Sequence, residues 1–279
     1  MKYEKLKDKI IIRDLSQFNI EQILDCGQIF RYNITGNEAE VVSTSKYAKI
    51  ISYADRVEIF SDDLDYFEYF FDLDNDYNVI KDKLSEDEFL APCINFGYGI
   101  RILHQDLFEM IVSFIISANN NIKRIKNSLN YLSEKFGSKK ENYFAFPTLE
   151  QLKQASVKDY TEAGLGYRAE YMYDTVQKLT QQDLDNFKKL NLDEQFTFLL
   201  SLKGVGEKVA HCILLFAMHE TTLFPVDTWI NKVYNDLTNT TTSNRKEISR
   251  NLTVRYKNLS GYAQQYFYYY YRELRGNVK

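Results

Sequence analysis

The stretch LLSLKGVGEKVAHCILLFAMHETTLFPVDTWINKVY (199–234) holds a lysine whose position suits nucleophilic chemistry. Lys208 follows the turn formed by Gly204 and Gly206 and falls in the first turn of the helix predicted behind it. The positive end of the helix dipole disfavours an ammonium there, and burial would lower the pKa of the amine further. Because a neutral amine is a nucleophile, Lys208 is a candidate catalytic residue. A solvated surface lysine is the alternative interpretation.

A carboxylate, Asp227, stands nineteen residues after Lys208, directly behind Pro225 and Val226. Aspartate often caps the start of a helix, so one interpretation is that Asp227 only caps the helix that Thr228 begins. The other is that the two helices and their connection return Asp227 towards Lys208. An amine paired with a carboxylate suits attack on a sugar carbon, because the carboxylate stabilises the positive charge that develops on the sugar.

The G-x-G turn itself is a candidate phosphate-binding site. Glycines allow a tight turn and let a ligand approach the backbone at Gly204 and Gly206. The free N–H groups and the positive dipole end of the following helix favour an anion such as a DNA phosphate. Contacts of this kind do not read a base sequence, and a plain turn is the alternative.

The elements that must position these residues change in type along the chain. The first sixty residues contain five short β-rich runs, KIIIR, QIFRYNI, AEVVSTS, YAKIISY and RVEIF. Strands this close in sequence pair antiparallel, because a parallel crossover needs about a dozen residues. Residues 62–90 predict short helices, and from about residue 100 apolar residues recur at helical spacing.

We therefore expect an α+β protein with two domains. An N-terminal antiparallel β-sheet domain with flanking helices would span residues 1–100. An α-helical domain would follow over residues 101–279, with a helix-hairpin-helix motif at about residues 195–218.

Composition excludes several classes of protein. The chain has 279 residues, of which 44% are apolar and 27% charged, an ordinary globular mixture. Three separated cysteines disfavour a disulfide framework and cannot form a four-cysteine cluster, and three histidines make a His-rich metal centre improbable. No apolar run approaches the roughly 18 residues that span a bilayer, and no secretory signal begins the chain, so we expect a cytoplasmic protein without a membrane partner.

Charge is distributed unevenly along the chain. The net charge is −4, which by itself argues against a nucleic-acid partner. However, residues 62–88 contain eleven acidic residues and two lysines, whereas residues 101–279 contain 24 basic and 19 acidic residues. The acidic segment is typical of a solvated helix face, and the mildly basic helical part is compatible with a phosphate-binding surface.

The pattern L-x-G-V-G-x-K-V-A, followed by P-V-D, resembles the signature of the helix-hairpin-helix DNA glycosylase superfamily. Within it the chain most resembles the 8-oxoguanine DNA glycosylases. Four further segments agree in order and spread over most of the chain: CGQIFR (26–31), SANNNIKRI (117–125), GLGYRA (164–169) and GYAQQYFY (261–268). Three cysteines exclude the iron–sulfur loop of the endonuclease III branch.

The resemblance implies a base-excision repair enzyme that removes 8-oxoguanine from duplex DNA without a required cofactor. Lys208 would attack C1′ of the flipped-out nucleotide, expel the base and form a Schiff base, and β-elimination would then cut the strand 3′ to the site. Asp227 would assist base loss. The alternatives are a glycosylase of this superfamily with a different lesion preference and a non-catalytic DNA-binding module. A pure binding module needs neither Lys208 nor Asp227.

The resemblance also implies the residues of a lesion pocket and of a DNA-binding face. The Gly27 carbonyl would accept the N7–H that 8-oxoguanine has and guanine lacks, and Gln264 would read the Watson–Crick edge. Cys212 and Tyr268 would sandwich the ring. Four residues are implied at the DNA-binding face. Asn119 would fill the gap left by the flipped-out base, with Tyr167 as a wedge beside it. Arg124 and Arg168 would contact the orphaned cytosine.

Two positions depart from the family pattern. Trp229 stands where members carry histidine, and Tyr271 stands where they carry aspartate, so this chain differs from the family pattern at one phosphate contact and in the surroundings of the pocket. Family hairpins often hold a cation on backbone carbonyls, here those of Leu200, Leu202 and Val205. We expect a monomer whose partner is double-stranded DNA containing 8-oxoguanine, associated with the nucleoid if the source is bacterial.

Overall fold

The computed structural model describes residues 1–276, so residues 277–279 of the predicted helical domain lie outside the described residues. Its N-terminal part is one antiparallel sheet with the strand order β1-β2-β6-β5-β4-β3. The strands are β1 (Tyr3–Lys5), β2 (Lys9–Ile12), β3 (Tyr32–Thr35), β4 (Glu38–Ser43), β5 (Lys46–Ser52) and β6 (Val57–Phe60). The predicted antiparallel sheet is confirmed.

One predicted strand is shorter than expected. Strand β3 begins at Tyr32, so the first four residues of QIFRYNI are not a strand. The reason is Gln28, which is fully buried and whose side chain donates to the Arg101 carbonyl at 2.7 Å and accepts from the Leu103 N–H at 2.9 Å. These hydrogen bonds hold the loop after α1 (Ile20–Asp25) against the connection that leads to the helical part.

Three short helices follow the sheet, two within residues 62–90, where the sequence predicts short helices, and one directly after that segment. They are α2 (Leu64–Phe70), α3 (Tyr77–Leu84) and α4 (Ala91–Phe96). Phe67 and Phe70 of α2 are fully buried in the core of the sheet. The acidic face of α2 is exposed and forms ion pairs with the sheet, one of which joins Asp65 to Lys5 at 2.6 Å. Part of the excess negative charge is therefore paired within the protein.

The remainder of the described chain is helical. Its helices are α5 (Leu107–Ser117), α6 (Ile122–Phe136), α7 (Leu149–Leu152), α8 (Val157–Glu162), α9 (Arg168–Lys178), α10 (Gln181–Phe187), α11 (Leu192–Ser201), α12 (Glu207–Ala217), α13 (Thr228–Thr238), α14 (Arg245–Tyr256) and α15 (Ser260–Gly276). Helix α5 is buried almost all round and packs against α12, so the hairpin rests on the centre of the helical core. Asn121 caps the start of α6, because its side chain accepts the Arg124 N–H at 3.0 Å.

Two hydrophobic cores meet near the predicted boundary at residue 100. Residues before it, including Tyr77, Leu84 and Leu90, pack in the helical core, whereas Leu103 packs in the core of the sheet. Helix α15 also returns to pack against α4. The change from strands to helices therefore does not coincide with a gap between the cores. Within residues 1–276, no helix has both the length and the apolar character needed to cross a membrane.

Candidate active site

The predicted hairpin is present, with α11 and α12 covering residues 192–217. Gly204 has φ +87°, a conformation that favours glycine, and a Cβ there would lie 3.2 Å from the side chain of Tyr171. Gly206 is the N-cap residue of α12, and a Cβ there would meet no atom within 4 Å. Gly204 is thus needed by the protein itself, whereas the space beside Gly206 is open to a ligand.

Lys208 and Asp227 occupy the starts of two successive helices. Lys208 is the second residue of α12, and its ammonium lies 5.4 Å from the centre of the Phe114 ring. Asp227 caps α13, because its Oδ1 accepts the Ile230 N–H at 2.9 Å. The cap interpretation is confirmed, but it is not exclusive. The Asp227 carboxylate also interacts electrostatically with the Lys208 amine, so the fold does return it to the lysine.

The pKa of Lys208 differs from the sequence-based expectation. Burial lowers the pKa of the amine, but the neighbouring Cys212 thiol, the Asp227 carboxylate and Tyr268 raise it. The second effect is larger, so the pKa of Lys208 lies above the ordinary lysine value. The expectation of a lowered pKa is therefore wrong, because it considered only the helix dipole and burial and not the groups that the fold brings beside the amine.

The residues implied for the lesion pocket converge beside this lysine. Cys212 lies one turn after Lys208 on α12, and Gln264 and Tyr268 lie one turn apart on α15. Gly27 follows α1 with φ +80°, and a Cβ there would lie 2.8 Å from the Tyr268 ring. Because Gly27 has no side chain, the Tyr268 ring lies directly against its backbone.

Gln264 is buried, and its Oε1 atom has no hydrogen-bond partner among the described residues. An unpaired buried acceptor costs about 1–3 kcal/mol, which a bound ligand can recover. Gln265 Oε1 and the Tyr266 hydroxyl, the next two residues of α15, share this property. The unpaired atom therefore supports a ligand-reading role for Gln264 but does not distinguish it from its neighbours.

Arg272 and Asp25, which no motif in the sequence singled out, form a pair that supports the pocket. Arg272 lies one turn after Tyr268 on α15, with its guanidinium carbon 5.6 Å from the centre of the Tyr268 ring. The same guanidinium donates to Asp25 of α1 at 2.9 Å. It therefore links the helix that carries Tyr268 to the helix that precedes Gly27. The four-residue spacing of Tyr268 and Arg272 on one helix was the available signal.

The residues implied for the DNA-binding face are brought together, with one difference. Asn119 is exposed with φ +50° between α5 and α6, and Arg124 is exposed in the first turns of α6. Tyr167 is 56% exposed. Arg168, in contrast, is buried, and its guanidinium donates to the backbone carbonyls of Ala118, Asn119 and Leu165. In this structure Arg168 holds the loop that presents Asn119.

The two departures from the family pattern are both occupied by packed aromatic rings. Trp229 is the second residue of α13, and the Lys232 ammonium lies 5.1 Å from its ring centre. Tyr271 packs its ring against Phe267 and Tyr270. These positions hold aromatic contacts where members of the family carry histidine and aspartate.

Comparison with known proteins agrees with this geometry. Residues 10–111 match the family described as 8-oxoguanine DNA glycosylase, N-terminal domain, and residues 112–258 match the HhH-GPD superfamily of base excision DNA repair proteins. The 8-oxoguanine glycosylase/lyase of Clostridium acetobutylicum, solved with double-stranded DNA containing cytosine opposite 8-oxoguanine, is 38% identical, with a TM-score of 0.93 over 99% of both chains. A probable N-glycosylase/DNA lyase of Methanothermobacter thermautotrophicus is 30% identical over 83% of this chain and 80% of its own length. The 3-methyladenine DNA glycosylase of Archaeoglobus fulgidus, 18% identical with a TM-score of 0.77, shares the fold.

The helical part that carries the hairpin, Lys208 and Asp227 matches the HhH-GPD superfamily over residues 112–258, which places this protein in the helix-hairpin-helix class of DNA glycosylases. Within that class, the chain belongs to the 8-oxoguanine DNA glycosylase/lyase family of base-excision repair enzymes. The resemblance found in the sequence is thereby confirmed.

Proposed function

We propose that this protein removes 8-oxoguanine from duplex DNA with Lys208 as the nucleophile. The observation that carries the proposal is the convergence of Lys208 and Asp227 with Cys212, Tyr268 and Gly27 at one place. An amine, a carboxylate and a site for a flat ring are the three groups that attack on a nucleotide sugar requires.

Lys208 must lose its proton before it can attack. The neutral amine then bonds to C1′ of the flipped-out nucleotide while the bond from C1′ to the base breaks, and the departing base takes up a proton. Asp227 stabilises the positive charge that develops on the sugar. The amine nitrogen, now bonded to C1′, then loses its remaining proton as the bond from C1′ to O4′ breaks, and O4′ takes up a proton as the sugar ring opens to a Schiff base. The Schiff base makes the C2′ proton acidic, so removal of that proton expels the 3′ phosphate and cuts the strand.

The pocket distinguishes the lesion from guanine by a single hydrogen bond. The Gly27 carbonyl accepts the N7–H of 8-oxoguanine, whereas guanine would present a second acceptor there. An unpaired buried polar group costs about 1–3 kcal/mol, or about 5- to 150-fold in affinity. Gln264 supplies hydrogen bonds to the Watson–Crick edge. The Tyr268 ring stacks on one face of the lesion base, and Cys212 contacts the opposite face.

The loop of Asn119 enters the duplex and fills the vacated position, with Tyr167 as a wedge beside it. Arg124 is the arginine that contacts the orphaned cytosine, whose N3 and O2 acceptors suit a guanidinium. Arg168 acts through the carbonyls of the Asn119 loop, which it already holds. The N–H groups at Gly206 and the start of α12 bind a backbone phosphate.

We also propose that backbone carbonyls of the hairpin bind a hard cation. Leu200 lies in the last turn of α11, where carbonyls lack helical donors, and the Leu202 carbonyl accepts the Val205 N–H at 3.1 Å and keeps a second lone pair. A cation on the carbonyls of Leu200, Leu202 and Val205 would add positive charge beside the bound phosphate. We further propose that the enzyme works as a monomer in the cytoplasm.

Cleavage of short duplexes under single-turnover conditions tests the function. We expect cutting of a duplex with 8-oxoguanine opposite cytosine, slower cutting opposite the other three bases, and no cutting of undamaged duplex. Arg124→Ala should flatten the preference for cytosine without lowering the thermal stability. Efficient release of another damaged base with 8-oxoguanine left intact would replace the proposal by a different lesion preference.

A further inference from the structure

Two of the three histidines and a buried aspartate meet where the sheet and helical parts join. Asp72 follows α2, His104 lies in the connection before α5, and His219 follows the last turn of α12. The Nε2 atom of His104 lies 3.2 Å from Asp72 Oδ1, and that of His219 lies 3.7 Å from Asp72 Oδ2. One donor atom from each of the three residues falls within 4.8 Å of the other two.

The surroundings of the cluster orient its donors. The Tyr77 hydroxyl donates to Asp72 Oδ2 at 2.8 Å, and the Asn75 amide donates to Oδ1 at 2.6 Å. The two imidazole rings stack with their centres 4.0 Å apart. Carboxylates that bind a metal are commonly fixed by hydrogen bonds of this kind from a surrounding layer of residues.

We propose that Asp72, His104 and His219 bind one zinc ion. Two imidazoles and one carboxylate are a common protein ligand set for Zn²⁺, which completes its tetrahedron with one further donor. The Tyr262 hydroxyl, which lies 3.2 Å from His219 Nε2, or a water molecule can take that fourth position. The sequence expectation of no histidine-rich metal centre considered only the number of histidines, whereas three ligands from separate segments suffice.

Binding requires a small rearrangement. Ligand atoms around a tetrahedral zinc are about 3.3 Å apart, given Zn–N and Zn–O bonds of about 2.0–2.1 Å, so the two imidazole rings must turn until their lone pairs converge. The side chains of His104 and His219 are 14% and 15% exposed, which leaves them an edge open to solvent. The Tyr69 side chain, which is 62% exposed, stacks its ring on the His104 imidazole.

One neighbour opposes the cation. The buried Arg101 guanidinium donates to the backbone carbonyl of Asp72, and its positive charge acts on His219. The negative charge of the Asp72 carboxylate offsets only one of the positive charges that the zinc ion and Arg101 would together bring to the site. We therefore expect weaker binding than at zinc sites with four protein ligands.

The zinc would act as a structural link and not in base removal. It would join the end of α2, the connection between the two parts and the end of α12 that lies opposite Lys208. An ion that binds only the folded chain stabilises it by an amount that rises with the logarithm of the ion concentration above the Kd, since the separate ligands are far apart in the unfolded chain.

The test is a titration of the full-length protein, freed of metal by a chelator, with Zn²⁺ and with Co²⁺ as a coloured substitute. We expect one ion per chain, visible Co²⁺ absorption typical of four-coordinate nitrogen and oxygen ligation, and a melting temperature higher by several degrees. His104→Gln and His219→Gln should each lower the zinc affinity at least tenfold and remove the gain in stability. The matched control is His211→Gln, which alters the third histidine, stacked on Phe196 outside the cluster, and should keep both.

A measurement on the unaltered chain covers the case in which a variant does not fold. With ¹⁵N-labelled histidine, Zn²⁺ should shift the ring signals of two of the three imidazoles and leave His211 unchanged. No stoichiometric binding, binding that survives both cluster variants, or a shift confined to His211 would show that Asp72, His104 and His219 form a hydrogen-bonded cluster only.

Discussion

At the scale of single residues, Lys208 is held by its neighbours in a charged form. Burial lowers the pKa of the amine, but Cys212, the Asp227 carboxylate and Tyr268 together raise it above the ordinary lysine value. The same carboxylate that stabilises positive charge on a sugar thus first stabilises the positive charge of the lysine. Removing the negative charge of Asp227 therefore has two separable effects, one on the rate of base loss and one on the pH at which Lys208 becomes a nucleophile.

Asp227→Asn should slow base release by orders of magnitude and change thermal stability little. Asparagine is as good a helix cap as aspartate, so the hydrogen bond to the Ile230 N–H can persist while the charge is lost. Single-turnover base release and thermal unfolding measure the two effects. A variant that unfolds readily but keeps its rate when folded would show that Asp227 is only a cap.

The rate of Schiff base formation should rise with pH from neutral into the alkaline range. Only the neutral amine attacks, and below its pKa the neutral fraction increases tenfold per pH unit. Because the pKa of Lys208 is raised, little neutral amine is present at neutral pH. Replacing Asp227 with Asn lowers this pKa, so the rise should move to lower pH although the maximal rate falls. A wild-type rate that does not change between neutral and alkaline pH would contradict the raised pKa.

At the scale of elements, the hairpin was predictable because its two glycines and two apolar helices leave local signals. The sheet was predictable for the same reason, except for the three-residue edge strand β1, which none of the five predicted runs covers, and for the loop of Gln28, whose partners lie more than seventy residues away. The convergence of Gly27 with Tyr268 depends on α15 returning to α1, which no local pattern specifies. The family resemblance supplied those residues, whereas Arg272 and the buried position of Arg168 emerged only from the packed structure.

The two hairpin glycines should respond differently to alanine. Gly204→Ala places a side chain at φ +87° and against Tyr171, so it should lower the stability by about 1–2 kcal/mol or more. Gly206→Ala meets no protein atom and should change the stability by less than about 1 kcal/mol while weakening binding to duplex DNA. Thermal unfolding and a DNA-binding titration of both variants separate these effects. Unchanged DNA affinity in Gly206→Ala would show that no phosphate approaches this turn.

At the scale of the whole molecule, the sheet and helical parts share a buried polar junction. Glu109 of α5 is buried, and its Oε2 accepts the N–H of Thr44 from the turn between β4 and β5 at 2.8 Å. Burial raises the pKa of Glu109 to about 7, although Arg31 acts in the opposite direction. The folded protein thus retains a proton that the unfolded chain releases near pH 4.5, so this contribution to stability is present at acid pH and is lost as the pH rises to about 7.

Glu109→Gln should therefore stabilise the protein above neutral pH. Glutamine keeps an acceptor for the Thr44 N–H and has no charge to bury, so the gain should reach up to about 3 kcal/mol near pH 8 and be small near pH 5. Denaturant unfolding at both pH values measures it, with the exposed Glu134→Gln on α6 as the control. Equal stability of Glu109→Gln and wild type near pH 8 would contradict the raised pKa.

The covalent role of Lys208 is tested most directly by borohydride trapping on a duplex with 8-oxoguanine opposite cytosine. Reduction should convert the Schiff base to a stable protein–DNA adduct, and peptide mass spectrometry should place the bond on Lys208. Lys208→Gln should abolish both the adduct and strand cleavage while lesion binding remains. Lys203→Gln, an exposed lysine of the same hairpin, should keep the adduct. An adduct that persists in Lys208→Gln, or one mapped to another lysine of the wild-type chain, would contradict the account.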